Sequence, residues 1–140
     1  MSRNVKPAPS GVADAADLLA AIQREFPARR ADLTDDYIEQ NPNPIRVELS
    51  QDWFVILPAY MSWCVRSPRR NQLLVLDHTI DALANFGRYA KAQPVELNFR
   101  SRCNCEQRAV IVAFLRWCHS GALIVHDEQV ARSLRRWERS

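Results

Sequence analysis

The sequence predicts an all-α protein, a single compact bundle of five or six helices with at most one minor pair of short strands. Three observations carry this. Apolar residues recur at the three- and four-residue spacing of a helix face in four stretches, near residues 11–26, 72–86, 105–118 and 127–137. The chain has three glycines, at 11, 87 and 121, each beside a proposed helix end. Prolines fall mostly between those stretches, where they end a helix or hold the connection extended.

In chain order, residues 1–10 contain Pro7 and Pro9 and read as a flexible leader, leaving 11–140 as one helical domain. The first helix sets Val12, Ala15, Ala16, Leu19, Ile22 and Phe26 on one arc and Asp14, Asp17, Arg24 and Glu25 opposite, with Pro27 as its stop. Thr34 is an N-cap for a short helix, DDYIEQ, whose first-turn Asp35 and Asp36 suit the positive end of the dipole. The NPNP run at 41–44 forces an extended connection. IRVELS (45–50) and PVELNF (94–99) are the two segments that could pair as strands, although their likeness is more simply coincidence than a repeat.

Ser50 is expected to cap QDWFVIL, and Pro58 suits the first turn of a further helix, PAYMSWCV, which Pro68 ends. Asn71 then caps a helix with Leu73, Leu76, Ile80, Leu83 and Ala84 as one stripe, widened by Val75 and Phe86, and with Gly87 just past its end. Asn104, with Gln107 three residues on, forms a capping box for a helix from Cys105 to about Ser120. That helix is apolar over most of its circumference (Val110, Ile111, Ala113, Phe114, Leu115, Trp117, Cys118) and is therefore expected at the centre of the bundle. The last helix begins near Asp127. Val130, Leu134 and Trp137 line one face, and Arg132, Arg135, Arg136 and Arg139 the other.

The net charge of +3 is too small to imply nucleic-acid binding by itself, but its distribution is uneven. Residues 11–52 hold nine acids and four bases, while 99–140 hold four acids and eight bases. The chain thus has an acidic flank and a basic one. Of the basic residues, 17 are Arg and 2 are Lys, a balance that suits bidentate contact with carboxylate or phosphate and also fits a coding bias. No apolar run reaches membrane-spanning length, and Asp14 and Asp17 break any signal-like segment. The expectation is a cytoplasmic protein, with no membrane partner and four reduced thiols.

Candidate chemistry is sparse. Cys103 and Cys105 are one residue apart, closer than zinc-binding pairs, and Cys118 lies about 20 Å from Cys105 along one helix. No metal or other cofactor is expected. Cys105 stands at a helix N-terminus beside Arg102 and Arg108, the setting of a reactive thiol, but His78, His119 and His126 have no local reason to act as its base. Cys64 and Cys118 fall on apolar arcs as small core residues. Asp77, His78 and Asp81 could hold a metal or do acid–base work, yet read more simply as a solvated face. His126, Asp127 and Glu128 complement a helix start. Three glycines leave no phosphate loop or dinucleotide fingerprint, and no catalytic residue is assigned.

The segments FVILPAYMSWCV (54–65), LLVLDHTIDAL and CEQRAVIVAFLRW, taken in that order, resemble a family of small uncharacterised helical bacterial proteins with an aromatic-flanked LPAY-type motif. The matching positions are Leu57, Pro58, Ala59 and Tyr60, then Gln107, Phe114 and Leu115, and the likeness spans about residues 50–118. It implies a helical fold and a binding role, such as that of an immunity protein paired with a bacterial toxin. The expected function is then non-enzymatic protein binding. Its first surface is the acidic group Asp14, Asp17, Glu25, Asp32, Asp35 and Asp36, since charge complementarity would speed encounter with a basic toxin. The alternative is an anion- or nucleic-acid-binding module using Arg132, Arg135, Arg136 and Arg139.

Overall fold

The computed structural model describes residues 14–47, 52–67, 72–86, 99–119 and 127–138. Among them are seven α-helices and no strand: α1 (Ala15–Glu25), α2 (Asp35–Gln40), α3 (Trp53–Arg66), α4 (Gln72–Phe86), α5 (Phe99–Arg102), α6 (Cys105–Trp117) and α7 (Asp127–Glu138), with a 3₁₀ turn at Pro44–Arg46. The all-α class stands, with seven helices where five or six were expected. The strand pair does not form there: Ile45 and Arg46 belong to the 3₁₀ turn and Phe99 opens α5. Residues 48–50 and 94–98 lie outside the described residues, as do the leader, Asn71, Gly87 and Gly121.

Local chemistry explains most helix ends. Asp14 Oδ1 accepts the Asp17 N–H at 2.8 Å and Thr34 Oγ1 accepts the Tyr37 N–H at 3.1 Å. The capping box on α6 is complete: Asn104 Oδ1 accepts from the Gln107 N–H at 2.7 Å, and Gln107 Oε1 accepts from the Asn104 N–H at 2.9 Å. Gln107 does more than cap its own helix, because its Nε2 donates to the Glu25 carbonyl at 3.0 Å and so ties α6 to the last turn of α1.

Two expectations are corrected at α3. Its N-cap is Asp52, whose Oδ1 accepts the Phe54 N–H at 3.1 Å; Ser50 lies outside the described residues. QDWFVIL and PAYMSWCV do not form two helices, since one helix runs through Pro58. An interior proline removes one backbone hydrogen bond and costs about 3 kcal/mol. Trp53, Ile56, Leu57, Met61 and Trp63 are all buried on this helix, and each large apolar side chain contributes about 1.5–3 kcal/mol when removed from water. Burial wins, and the helix continues.

The central helix is therefore α3, not α6. It buries ten side chains, under α1, α2, α4 and the 3₁₀ turn. On α6, Val110, Ile111, Phe114, Leu115 and Trp117 are buried, whereas Ala109 is exposed and Val112 and Ala113 are half-buried. The five longer helices close a ring: α1 packs on α3 and α6, α4 on α3 and α7, and α6 on α7. The buried side of α1 is rotated from expectation, carrying Leu18, Ile22 and the C-cap Phe26, while Ala15 and Ala16 face solvent.

Aromatic rings join four elements. Phe54 of α3 meets Phe99 of α5 edge-on at 4.9 Å, and Phe99 meets Trp137 of α7 at 5.8 Å. Phe26 lies 6.1 Å from Phe54, and Arg102 sits over the Phe54 ring at 5.4 Å. Short α2 is held by side chains: Trp63 Nε1 donates to Glu39 at 3.0 Å, and Tyr60 donates its hydroxyl to the Asn41 carbonyl.

Candidate functional site

The six acids expected to form one surface lie on consecutive elements but have different duties. Asp14 is spent as an N-cap. Half-buried Glu25 pairs with neighbouring Arg24 at 2.9 Å. Asp32 takes two hydrogen bonds from Arg30, at 3.1 and 3.0 Å, and the contact holds its carboxyl below the usual range while raising the guanidinium. Asp35 is gripped in the same forked way by Arg66 of α3, at 3.1 and 3.0 Å. Asp17 and Asp36 are exposed and have no ion pair among the described residues. They are the two acids left for an outside partner.

Between α1, the α1–α2 connection and α3 lies a cavity that sequence spacing does not reveal. Ile22, Phe26, Leu33, Val55 and Pro58 make its apolar lining, and Arg29, Arg30, Arg66, Gln23 and Ser62 bring polar groups to it. The three arginines come from the α1–α2 connection and the far end of α3. No periodicity links positions 29 and 66; only the packing of α1 against α3 does.

The arginine group on α7 is divided by the structure. Arg132 and Arg135 are exposed. Arg136 is half-buried and its Nη1 donates to the Ala84 carbonyl at 2.9 Å, beside Trp137 Nε1, which donates to the Leu83 carbonyl at 2.6 Å. Both carbonyls belong to the last turn of α4, where a helix has no internal donors left. Arg136 thus serves as a C-terminal cap for another helix while still lining one pocket with Arg132 and Arg135. Arg139 lies outside the described residues. Arg116 of α6 pairs with Glu138 at 2.7 Å and ties the ends of α6 and α7.

The thiols sort by burial. Cys64, Cys103 and Cys118 are buried, which pushes Cys64 and Cys103 up to about 12 and Cys118 well above its ordinary value. Cys105 is exposed, with Arg108 Nη2 at 3.6 Å from its sulfur. Exposed His119 is fourteen residues further along the chain, about 20 Å away at 1.5 Å per residue, so it cannot act as a base for Cys105. Asp77 and His78 are half-buried, with Gln129 of α7 donating to the Asp77 carbonyl at 3.4 Å, so only Asp81 stays on the solvent side as expected. Among the described residues no group of three or more His, Cys, Asp or Glu side chains is placed to hold a metal ion, and no helix is long and apolar enough to cross a membrane.

No protein-family model, curated protein or solved structure matches this chain.

Proposed function

We propose that this protein acts without catalysis, by binding another protein through the acidic face of α1 and α2. Its most concrete form is a bacterial, cytoplasmic immunity protein that neutralises a basic toxin. One observation carries the reading: Asp17 and Asp36 are exposed, free of ion pairs among the described residues, and set in the first turns of two helices next in sequence. A desolvated cation on a partner would find carboxylates there that the fold does not already use. The LPAY-type resemblance supports the immunity form.

The test is Asp17→Lys with Asp36→Lys. A protein captured from the native lysate by the wild type should associate with the double variant about tenfold more slowly at low salt, and the rate should depend less on ionic strength. An unchanged on-rate removes this face from consideration.

A second reading, an anion- or nucleic-acid-binding module, is favoured by exposed Arg132 and Arg135, one turn apart on α7. It predicts a gel shift of labelled DNA or RNA that weakens steeply with salt and is lost in the double alanine variant. No shift at low salt ends it.

A further inference from the structure

We infer that the cavity between α1, the α1–α2 connection and α3 is a binding site for a carboxylate carried on a short apolar stem. Three arginines, Arg29, Arg30 and Arg66, line one cavity of about 240 Å³. Like charges gathered at one place repel unless something answers them. Asp32 answers Arg30 and Asp35 answers Arg66, each through a forked pair. Arg29 is exposed and has no ion-pair partner among the described residues, so its guanidinium is open to an anion.

The two pairs do not use up the site. A guanidinium has five N–H donors, and Asp35 takes one from each terminal nitrogen of Arg66, leaving three. The ion pair also fixes that long side chain, so a ligand need not order it. Gln23 and Ser62 add neutral polar groups, and among the described residues no Asp or Glu lines the cavity. Its chemistry selects an anion over a cation.

The lining selects which anion. Ile22, Phe26 and Val55 are at most 6% exposed and Pro58 is buried, so the bottom is apolar. The volume is below the usual range for drug-sized ligands, and room remains for a few carbons and one charged head. Arginine forks hold a planar carboxylate by two bonds, and the apolar bottom favours an anion that carries a hydrocarbon stem over inorganic phosphate. A free short-chain acid and a carboxylate projecting from a bound protein share this chemistry.

The experiment is an NMR titration of the full ¹⁵N-labelled chain with hexanoate, hexan-1-ol, inorganic phosphate and a short peptide ending in Leu-Glu. Hexanoate should give saturable shifts around the cavity with a Kd on the order of millimolar, the affinity expected of so few heavy atoms. Hexan-1-ol and phosphate should bind at least tenfold more weakly. Arg29→Ala, which breaks no hydrogen bond or ion pair among the described residues, should weaken hexanoate about tenfold, and Arg66→Lys should weaken it while leaving helical content by circular dichroism unchanged. A peptide that competes tighter than hexanoate identifies the source as a protein carboxylate; hexanoate binding with no peptide binding identifies a free acid. The inference is overturned if hexanoate gives no saturable shift, if hexan-1-ol or phosphate binds equally well, or if Arg29→Ala changes nothing. Reversing Asp17 and Asp36 leaves this lining intact, so the acidic-face reading and this one fail separately.

Discussion

Arg136 shows how one residue's role escapes its spacing. On a helical wheel it belongs with Arg132 and Arg135, yet in the fold it reaches back to a carbonyl 52 positions earlier. The cysteines follow the same logic with the opposite outcome, because apolar neighbours in sequence already mark Cys64 and Cys118 as core. At pH 8 a thiol reagent should modify one cysteine of the native protein, Cys105, and all four after denaturation. Native modification of two or more would mean that Cys64, Cys103 and Cys118 are not protected as their burial requires. The same burial has a pH signature. Each buried thiol keeps its proton more tightly folded than unfolded, so stability is fully present below the ordinary value of 9.0 and is lost as pH rises from there towards about 12. Denaturant midpoints should therefore fall between pH 9 and 11, and a Cys64→Ala, Cys103→Ala double variant should fall less steeply.

At the level of elements, some helix starts are legible in the sequence and helix continuity is not. Thr34, Asn104 and the start near Asp127 follow from side chains within four residues of the end, and the structure places those ends there. Pro58 is different: its ring argues locally for a break, and only the apolar surface buried on both sides of it keeps α3 whole. Replacing it with alanine restores a helical N–H at the cost of little volume. Pro58→Ala should raise the unfolding free energy by about 1–3 kcal/mol in chemical denaturation. A destabilised variant would show that the proline ring's packing outweighs the hydrogen bond it removes. Short α5 is not legible in the sequence because four residues carry no readable period, although its Phe99 joins the rings of Phe26 at the end of α1, Phe54 of α3 and Trp137 of α7.

For the whole molecule, the ring of five helices means that each core side chain answers to more than one neighbour. Phe114 and Leu115 are fully buried on α6, which packs on both α1 and α7. Truncating Phe114 to alanine should cost about 3–5 kcal/mol and Leu115 about 2–5 kcal/mol. A neutral result for either would contradict the packing of α6 between those helices. Charge is organised at this scale too. The acidic segment seen in the sequence is in the fold a mixed surface, where Arg30 and Arg66 pair with Asp32 and Asp35 and leave Asp17 and Asp36 without an ion pair among the described residues. A count of charges along the chain could not show that, since Arg66 comes from a helix 31 positions beyond Asp35.

What the sequence determined alone was the all-α class, the starts of α2, α6 and α7, the capping box of α6 and the burial of Cys64 and Cys118, because caps and amphipathic periods act over three or four residues. The tertiary structure alone decided that α3 is central and unbroken, that Arg136 caps α4, and that Arg29, Arg30 and Arg66 share a cavity. Those outcomes depend on through-space neighbours far apart along the chain, and on burial free energies that exceed local preferences only once the helices have packed.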